Sequence, residues 1–142
     1  MFLVADRNDD TGNANVERHQ KLTEKLGDKQ YYRLQCREIE NLLTPVVIKE
    51  IVREYEEDPD AEFSDFEQVD YKDKHLGSFI ESNVLKQAKK RKGSYAGDSG
   101  AVSVKTDFCQ KAIAHLRDFA DLSPEAQELI QKLHAFIQQN NN

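Results

Sequence analysis

About 35 residues at the start of the chain follow the hydrophobic pattern of one strand–helix–strand unit. Residues 2–5 are apolar and predict a short buried strand, and residues 31–34 predict a second strand. Between them, residues 13–26 place apolar side chains among charged ones and end at Gly27, which is typical of a surface helix with a glycine C-cap. A crossover of this kind makes the two strands parallel. The opening therefore predicts an α/β fold.

Polar and acidic residues follow each predicted strand. Asp6, Asn8 and Asp9 come after the first strand, and Glu38 and Glu40 come after the second. Ligand sites of α/β proteins lie beyond the carboxyl ends of parallel strands, so the two clusters are expected at one edge of the sheet. Carboxylate and amide oxygens are the ligands that Mg²⁺, Mn²⁺ and Ca²⁺ prefer. The pattern predicts a site for a divalent cation.

Three other interpretations of these residues stay open at the level of sequence. The Asp and Asn side chains after the first strand are also suited to cap the following helix. The two glutamates are also suited to complement the dipole of a helix N-terminus. A calcium loop is the third, because four residues occupy positions one, three, five and twelve of an EF-hand-like count, although glycine comes one place late and a strand precedes the loop. Those four residues are Asp6, Asn8, Asp10 and Glu17.

The remaining chain predicts a change from α/β to helical structure. Thr44 and Pro45 mark the start of a strongly periodic helix, and residues 54–73 contain ten acidic residues and one lysine, which predicts a solvated linker. Two C-terminal helices are predicted, one from residue 124 and one over 106–119. The second would turn its apolar side chains inward, namely Phe108, Ile113, Leu116 and Phe119. The predicted segments are an α/β portion over 1–57, an acidic linker, short helix and basic glycine-rich loop over 58–104, and a helical hairpin over 105–142.

Charge and cysteine content narrow the functional classes. The net charge of −6 argues against a broadly basic nucleic-acid surface, but residues 86–92 hold five cations beside a glycine-rich loop. Most basic runs of this kind are solvated surface. The functional alternative is that this run binds the phosphate backbone of a nucleic acid, through Lys89, Lys90, Arg91 and Lys92. Two cysteines without metal-type spacing, and no signal-like start or long apolar run, predict a reduced cytoplasmic protein away from membranes.

Three segments, in order, resemble one known enzyme family. Residues 2–9 read FLVADRND, residues 37–43 read REIENLL, and residues 105–112 open a helix with lysine, KTDFCQKA. This order is similar to the later part of the Toprim domain in OLD-family ATP-dependent endonucleases and related antiphage defence nucleases. The similarity covers most of the chain and is dense in the first fifty residues. It implies a partial Toprim-like parallel sheet with flanking helices and a helical C-terminal part.

The resemblance also implies a function, namely Mg²⁺- or Mn²⁺-dependent cleavage of nucleic acid, with DNA favoured over RNA, in phage defence or DNA processing. By analogy Asp6 would bind the metal. Asn8 would take the place of a second aspartate, with Asp9 as a possible substitute for it. Glu40, together with Glu38, would complete the coordination shell of the metal. Lys105 would steady the charge that develops on the phosphate, which makes Lys105 and Glu40 the expected catalytic residues.

The family pattern places a further glutamate on an earlier strand, which would lie before Met1, and adds an ATPase module. We therefore expect a nuclease that needs an N-terminal part or an ATPase partner. Asn8 in place of aspartate removes one negative charge and should weaken Mg²⁺ binding. The alternative from another functional class is a non-catalytic interaction module or a Ca²⁺-binding module, and an unpaired strand edge would favour self-association into a homo-oligomer.

Overall fold

A computed structural model describes residues 1–8, 12–86 and 93–141. The strands and helices are β1 (Leu3–Ala5), α1 (Asn13–Leu26), β2 (Tyr31–Arg33), a 3₁₀ helix (Ile39–Leu42), α2 (Pro45–Glu56), α3 (Gln68–Tyr71), α4 (Leu76–Asn83), α5 (Lys105–His115), a second 3₁₀ helix (Phe119–Asp121) and α6 (Pro124–Asn140). Their contacts form two compact units. Unit 1 comprises Met1–Ile39 and Pro124–Asn142, and unit 2 comprises Glu40–Ser123. The division into segments 1–57, 58–104 and 105–142 stays a prediction.

Unit 1 is built on a parallel pair of short strands. β1 pairs with β2 in a register that sets Leu3 against Tyr31 and Ala5 against Arg33. α1 makes the crossover and ends at Gly27, whose φ of 66° is a conformation that glycine adopts without strain. The predicted strand–helix–strand order, the parallel direction and the mixed α/β class are confirmed. The larger Toprim-like sheet stays a proposal.

α6 supplies part of the core of unit 1. Its Ala126 and Leu129 are buried, and the ring of Phe136 lies 5.6 Å from that of Phe2. The ammonium of Lys132 lies 5.1 Å from the centre of the Tyr32 ring, a cation–π contact. The last helix therefore packs within the same unit as the first strand.

The core of unit 2 combines aliphatic side chains of α2 with aromatic and aliphatic side chains from the elements around it. Thr44 and Pro45 begin α2 as predicted, and the buried face of this helix repeats at helical spacing. α2 packs against α5, whose Phe108 is fully buried. The core side chains are Val47, Ile48, Ile51, Val52, Phe66, Tyr71, Leu76, Phe79, Ile80, Val84, Tyr95, Val102, Phe108 and Ala112.

Two sequence predictions for unit 2 are wrong. The acidic stretch 54–73 is not simply a solvated linker, because Phe66 and Tyr71 are buried and their rings lie 6.0 Å apart, with Tyr71 closing α3. The predicted helix 106–119 ends at His115, and Ile113 and Phe119 are exposed instead of turned inward. After Leu116, which is extended, Asp118 caps a separate 3₁₀ turn by accepting a hydrogen bond from Ala120.

None of the helices in the described part of the chain combines the length and the apolar character needed to cross a membrane.

Candidate functional site

An ion pair in unit 2 joins the two residues predicted to be catalytic. Glu40 lies in the first 3₁₀ helix and Lys105 is the first residue of α5. The Nζ atom of Lys105 lies 2.7 Å from Oε1 of Glu40, although the two residues are far apart in sequence. The side chain of Glu40 is 2% exposed and that of Lys105 is 52% exposed. The pair therefore has a buried acidic partner and a basic partner that solvent and ligands reach.

The second carboxylate oxygen of Glu40 has different surroundings. Oε2 is buried and accepts no hydrogen bond from any residue in the described ranges. A buried carboxylate is costly unless charge and hydrogen bonds compensate it. Lys105 compensates one oxygen, and the other retains its capacity to bind a donor or a cation. Oxygen is the ligand type that Mg²⁺ and Mn²⁺ select, so Glu40 fits the metal that the resemblance implies.

A network of hydrogen bonds fixes the turn that carries Glu40. Asn41 is fully buried, and its side-chain amide donates to the backbone carbonyls of Tyr71, at 2.7 Å, and Lys74, at 3.0 Å. In return, the side-chain amide of Gln68 donates to the backbone carbonyl of Asn41 at 2.9 Å. The hydroxyl of Tyr71 donates to the backbone carbonyl of Leu43 at 2.5 Å. The turn is thereby tied to α3. Sequence reasoning assigned no role to Asn41.

Lys105 is positioned by the anchoring of α5 on α2. The hydroxyl of Tyr55 donates to Asp107 Oδ2 at 2.5 Å, two residues after Lys105. Further along α5, Lys111 lies 2.5 Å from Glu54, and this ion pair lowers the pKa of the Glu54 carboxyl. α5 therefore carries two lysines paired with acids, and of these Lys105 is the one with a buried partner.

Cys109 lies one helical turn after Lys105 and is exposed. Partial burial raises the pKa of its thiol, the charge of Glu40 raises it further, and Lys105 opposes the shift. The thiol is therefore protonated at neutral pH and is a weak nucleophile.

We expect alkylation of Cys109 to report the electrostatics of this ion pair. Glu40→Gln removes the negative charge that raises the pKa of the thiol, so reaction with iodoacetamide at pH 7.5 should become severalfold faster. Lys105→Met removes the opposing positive charge and should slow it. Cys36 is buried and serves as the internal control. Equal rates in both variants would contradict the proximity of the three side chains.

The polar cluster after β1 is tied to the segment after β2 within unit 1. Asp6 Oδ1 accepts a hydrogen bond from the backbone N–H of Ile39 at 3.0 Å. The backbone N–H of Asn8 donates to the backbone carbonyl of Arg37 at 3.2 Å. Asn15 of α1 donates to the Asn8 carbonyl at 2.5 Å. Asn8 adopts a φ of 49°, a left-handed conformation that asparagine tolerates better than most residues. The ends of the two strands are neighbours, as their parallel direction requires.

The predicted metal ligands are only partly accounted for. Asp6, Asn8 and the buried Glu38 belong to unit 1, whereas Glu40 belongs to unit 2. Asp9 lies outside the described residues. Among residues 1–8, 12–86 and 93–141, no three His, Cys, Asp or Glu side chains form a group suited to hold a metal ion. The predicted phosphate contacts Lys89, Lys90, Arg91 and Lys92 also lie outside those ranges.

A pocket of about 290 Å³ opens beside Asp6, between β1 and α1. Besides Asp6 and Asn8, its polar lining comes from Asn15, Arg18 and His19. His19 is buried, and its Nδ1 shares a hydrogen bond with the Tyr31 hydroxyl. Sequence reasoning assigned no role to these three α1 residues. Their spacing of three and four places them on one face of a helix, and this spacing is the signal that would have indicated them.

The segment that precedes Asp6 differs from the one that precedes an EF-hand calcium loop. An EF-hand loop follows a helix, whereas β1 precedes Asp6 in this chain. Asp10, its third expected ligand, lies outside the described residues, and Glu17 is exposed on α1. No family model, curated protein or solved structure matches the chain.

Proposed function

We propose that this chain supplies metal- and phosphate-binding residues for divalent-cation-dependent cleavage of phosphodiester bonds in nucleic acid, with DNA as the favoured substrate. The observation that carries the proposal is the ion pair between buried Glu40 and accessible Lys105. The Glu40 carboxylate is almost fully buried, pairs with Lys105 through one oxygen, and has a second oxygen that accepts no hydrogen bond from the described residues, an arrangement that is costly for a purely structural group. A ligand for a cation, adjacent to a group that binds phosphate, accounts for both features.

The proposed roles follow from exposure and charge. Lys105 is the accessible partner, so its ammonium would contact a phosphate oxygen and stabilise the negative charge that develops there during cleavage. Glu40 would bind the cation through Oε2 while Oε1 keeps Lys105 in position. A bound Mg²⁺ or Mn²⁺ would supply an activated water and neutralise phosphate charge.

Within unit 1, the cluster after β1 offers a separate set of candidate ligands. Asp6 brings a carboxylate whose Oδ1 already accepts a backbone hydrogen bond, which fixes the orientation of the side chain. Asn8 brings a neutral amide in place of a carboxylate, so the ligand set carries less negative charge. We therefore propose that the cation binds more weakly here than at a site with two aspartates.

The decisive assay is nicking of supercoiled plasmid DNA with Mn²⁺ or Mg²⁺ by the 142-residue chain supplemented with an OLD-type ATPase partner, because the chain is expected to need an N-terminal part or such a partner. We expect relaxed product that depends on the cation and disappears with EDTA. Product that forms equally well in EDTA would identify a contaminating activity. No product, together with no measurable Mn²⁺ binding, would overturn the proposal.

Calorimetric titration separates the nuclease proposal from a calcium module. We expect Glu40→Ala to weaken Mn²⁺ binding at least tenfold, since a buried carboxylate ligand is lost, and Glu17→Ala to leave it unchanged. The spacing of Asp6, Asn8 and Glu17 is what favours the calcium alternative. Ca²⁺-selective binding that is lost only in Glu17→Ala would establish that alternative and contradict the assignment of Glu40.

A further inference from the structure

The α1 side of the pocket beside Asp6 carries two groups that bind anions. Arg18 offers a guanidinium and His19 an imidazole, and both line the pocket. Asn15, one turn earlier on the same face, donates to the Asn8 carbonyl at 2.5 Å and so ties α1 to the segment after β1. The proposed metal chemistry uses none of these three α1 side chains. They form a wall that is held in place and is suited to a ligand group with several acceptor oxygens.

His19 is the buried member of this wall. It is 6% exposed, and its Nδ1 shares a hydrogen bond with the Tyr31 hydroxyl. Burial raises the pKa of Tyr31, although the charges of Arg33 and Arg18 oppose the shift. The hydroxyl therefore keeps its proton at neutral pH and can donate it to Nδ1. A neutral imidazole that accepts at Nδ1 carries its own proton on Nε2, so the ring offers a donor.

Two guanidinium groups lie at this pocket. Arg18 is exposed on α1 and lines the pocket. Arg33 donates to the backbone carbonyl of Arg7 at 3.4 Å, and the Asn15 side chain donates to the same oxygen at 3.4 Å, so Arg33 is held beside the pocket. The one carboxylate that the described residues contribute to the lining is that of Asp6, and its Oδ1 already accepts a backbone hydrogen bond. In this part of the described chain, positive charge therefore exceeds negative charge, although the net charge of the whole chain is −6.

The size and the lining of the pocket indicate what accompanies the anionic group. A phosphate group fills only part of a cavity of about 290 Å³. The strand segment Leu3–Ala5 lines another part with apolar side chains and backbone. That part offers room for an uncharged organic group attached to the phosphate. A dianionic phosphate also uses more donors than a carboxylate does, and guanidinium groups bind phosphate through two parallel hydrogen bonds.

We propose that this pocket binds the phosphate group of a small phosphomonoester about the size of a mononucleotide. Arg18 binds the phosphate oxygens from the exposed side, and His19 donates a hydrogen bond from the buried side. Arg33 adds positive charge beside them. The inference is independent of the proposed nuclease function, because it requires neither a metal ion nor the ion pair of unit 2.

Calorimetric titration in a buffer with EDTA tests the ligand class without a contribution from metal ions. The probes are AMP, inorganic phosphate and adenosine, each titrated to millimolar concentration at constant ionic strength. We expect AMP to bind at least threefold more tightly than phosphate, because its nucleoside occupies the β1 side of the pocket, and adenosine to show no measurable binding. Equal affinity for AMP and phosphate would overturn the phosphomonoester assignment. Adenosine binding as tight as that of AMP, or no binding of either phosphate compound, would overturn the phosphate site itself.

A matched pair of arginine variants tests the location of the site. Arg18→Met keeps a good helix former on α1 and removes the guanidinium, so we expect the affinity for AMP to fall at least tenfold. Arg117→Met makes the same substitution at an exposed arginine of unit 2 and should leave the affinity unchanged. Equal affinities in the two variants would place the anion elsewhere and overturn the proposal. Circular dichroism establishes that both variants retain their helices.

Discussion

Lys105→Met is expected to lower metal-dependent nicking of plasmid DNA at least 100-fold, because it removes the accessible cation that would stabilise charge on the phosphate. Methionine keeps the length and the apolar stem of lysine, so the packing of α5 should change little. The matched control is Lys111→Met, which breaks the other ion pair of the same helix, with Glu54. That variant should retain activity within about twofold, because an exposed ion pair contributes little to stability.

Loss of activity in Lys105→Met has a second explanation that the experiment must separate. Without Lys105 the Glu40 carboxylate stays buried without its ionic partner, which destabilises the fold. The double variant Glu40→Gln/Lys105→Met removes this buried charge and should recover most of the stability measured by urea denaturation. We expect Lys105→Met itself to remain inactive at temperatures where denaturation shows it to be fully folded, which separates the two explanations. Recovery of nicking in the double variant would mean that Lys105 acts through stability alone and would contradict its proposed role.

Local hydrophobic periodicity explains which elements the sequence predicted well. β1, α1, β2 and the start of α2 depend on residues close together in the chain, and each appears within one or two residues of its predicted bounds. The end of α5 was missed because Ile113 continues the helical spacing but is exposed. What ends this helix is the extended conformation of Leu116, which no apolar pattern reports.

Tertiary contacts explain what the sequence could not predict. Ten acids between residues 54 and 73 indicated solvation, yet two aromatic side chains within that stretch are enough to anchor it in the core. The proximity of Glu40 and Lys105 does not follow from their spacing either. The family resemblance predicts that both residues are catalytic, but it does not predict that Glu40 is buried. It also does not predict that the side-chain amide of Asn41 holds the turn in place.

Asn41→Ala is expected to destabilise the chain by about 3 kcal/mol, because it removes a buried amide that donates two hydrogen bonds and leaves the Lys74 carbonyl without this donor. The turn that carries Glu40 loses its tie to α3 in the same step. We therefore expect weaker Mn²⁺ binding even under conditions where the variant is fully folded. Urea denaturation measures the first effect and calorimetry the second.

Asn83→Ala is the matched control for this experiment. The Asn83 side chain also donates to a backbone carbonyl, that of Phe79 at 3.3 Å, but it is exposed at the end of α4. Water replaces its hydrogen bond, so its loss should change the free energy of unfolding by no more than about 0.5 kcal/mol. Similar destabilisation by the two substitutions would mean that burial of Asn41 is not what fixes the turn. Destabilisation by Asn41→Ala alone, with cation binding intact, would separate the stability of this turn from the proposed metal-binding role of Glu40.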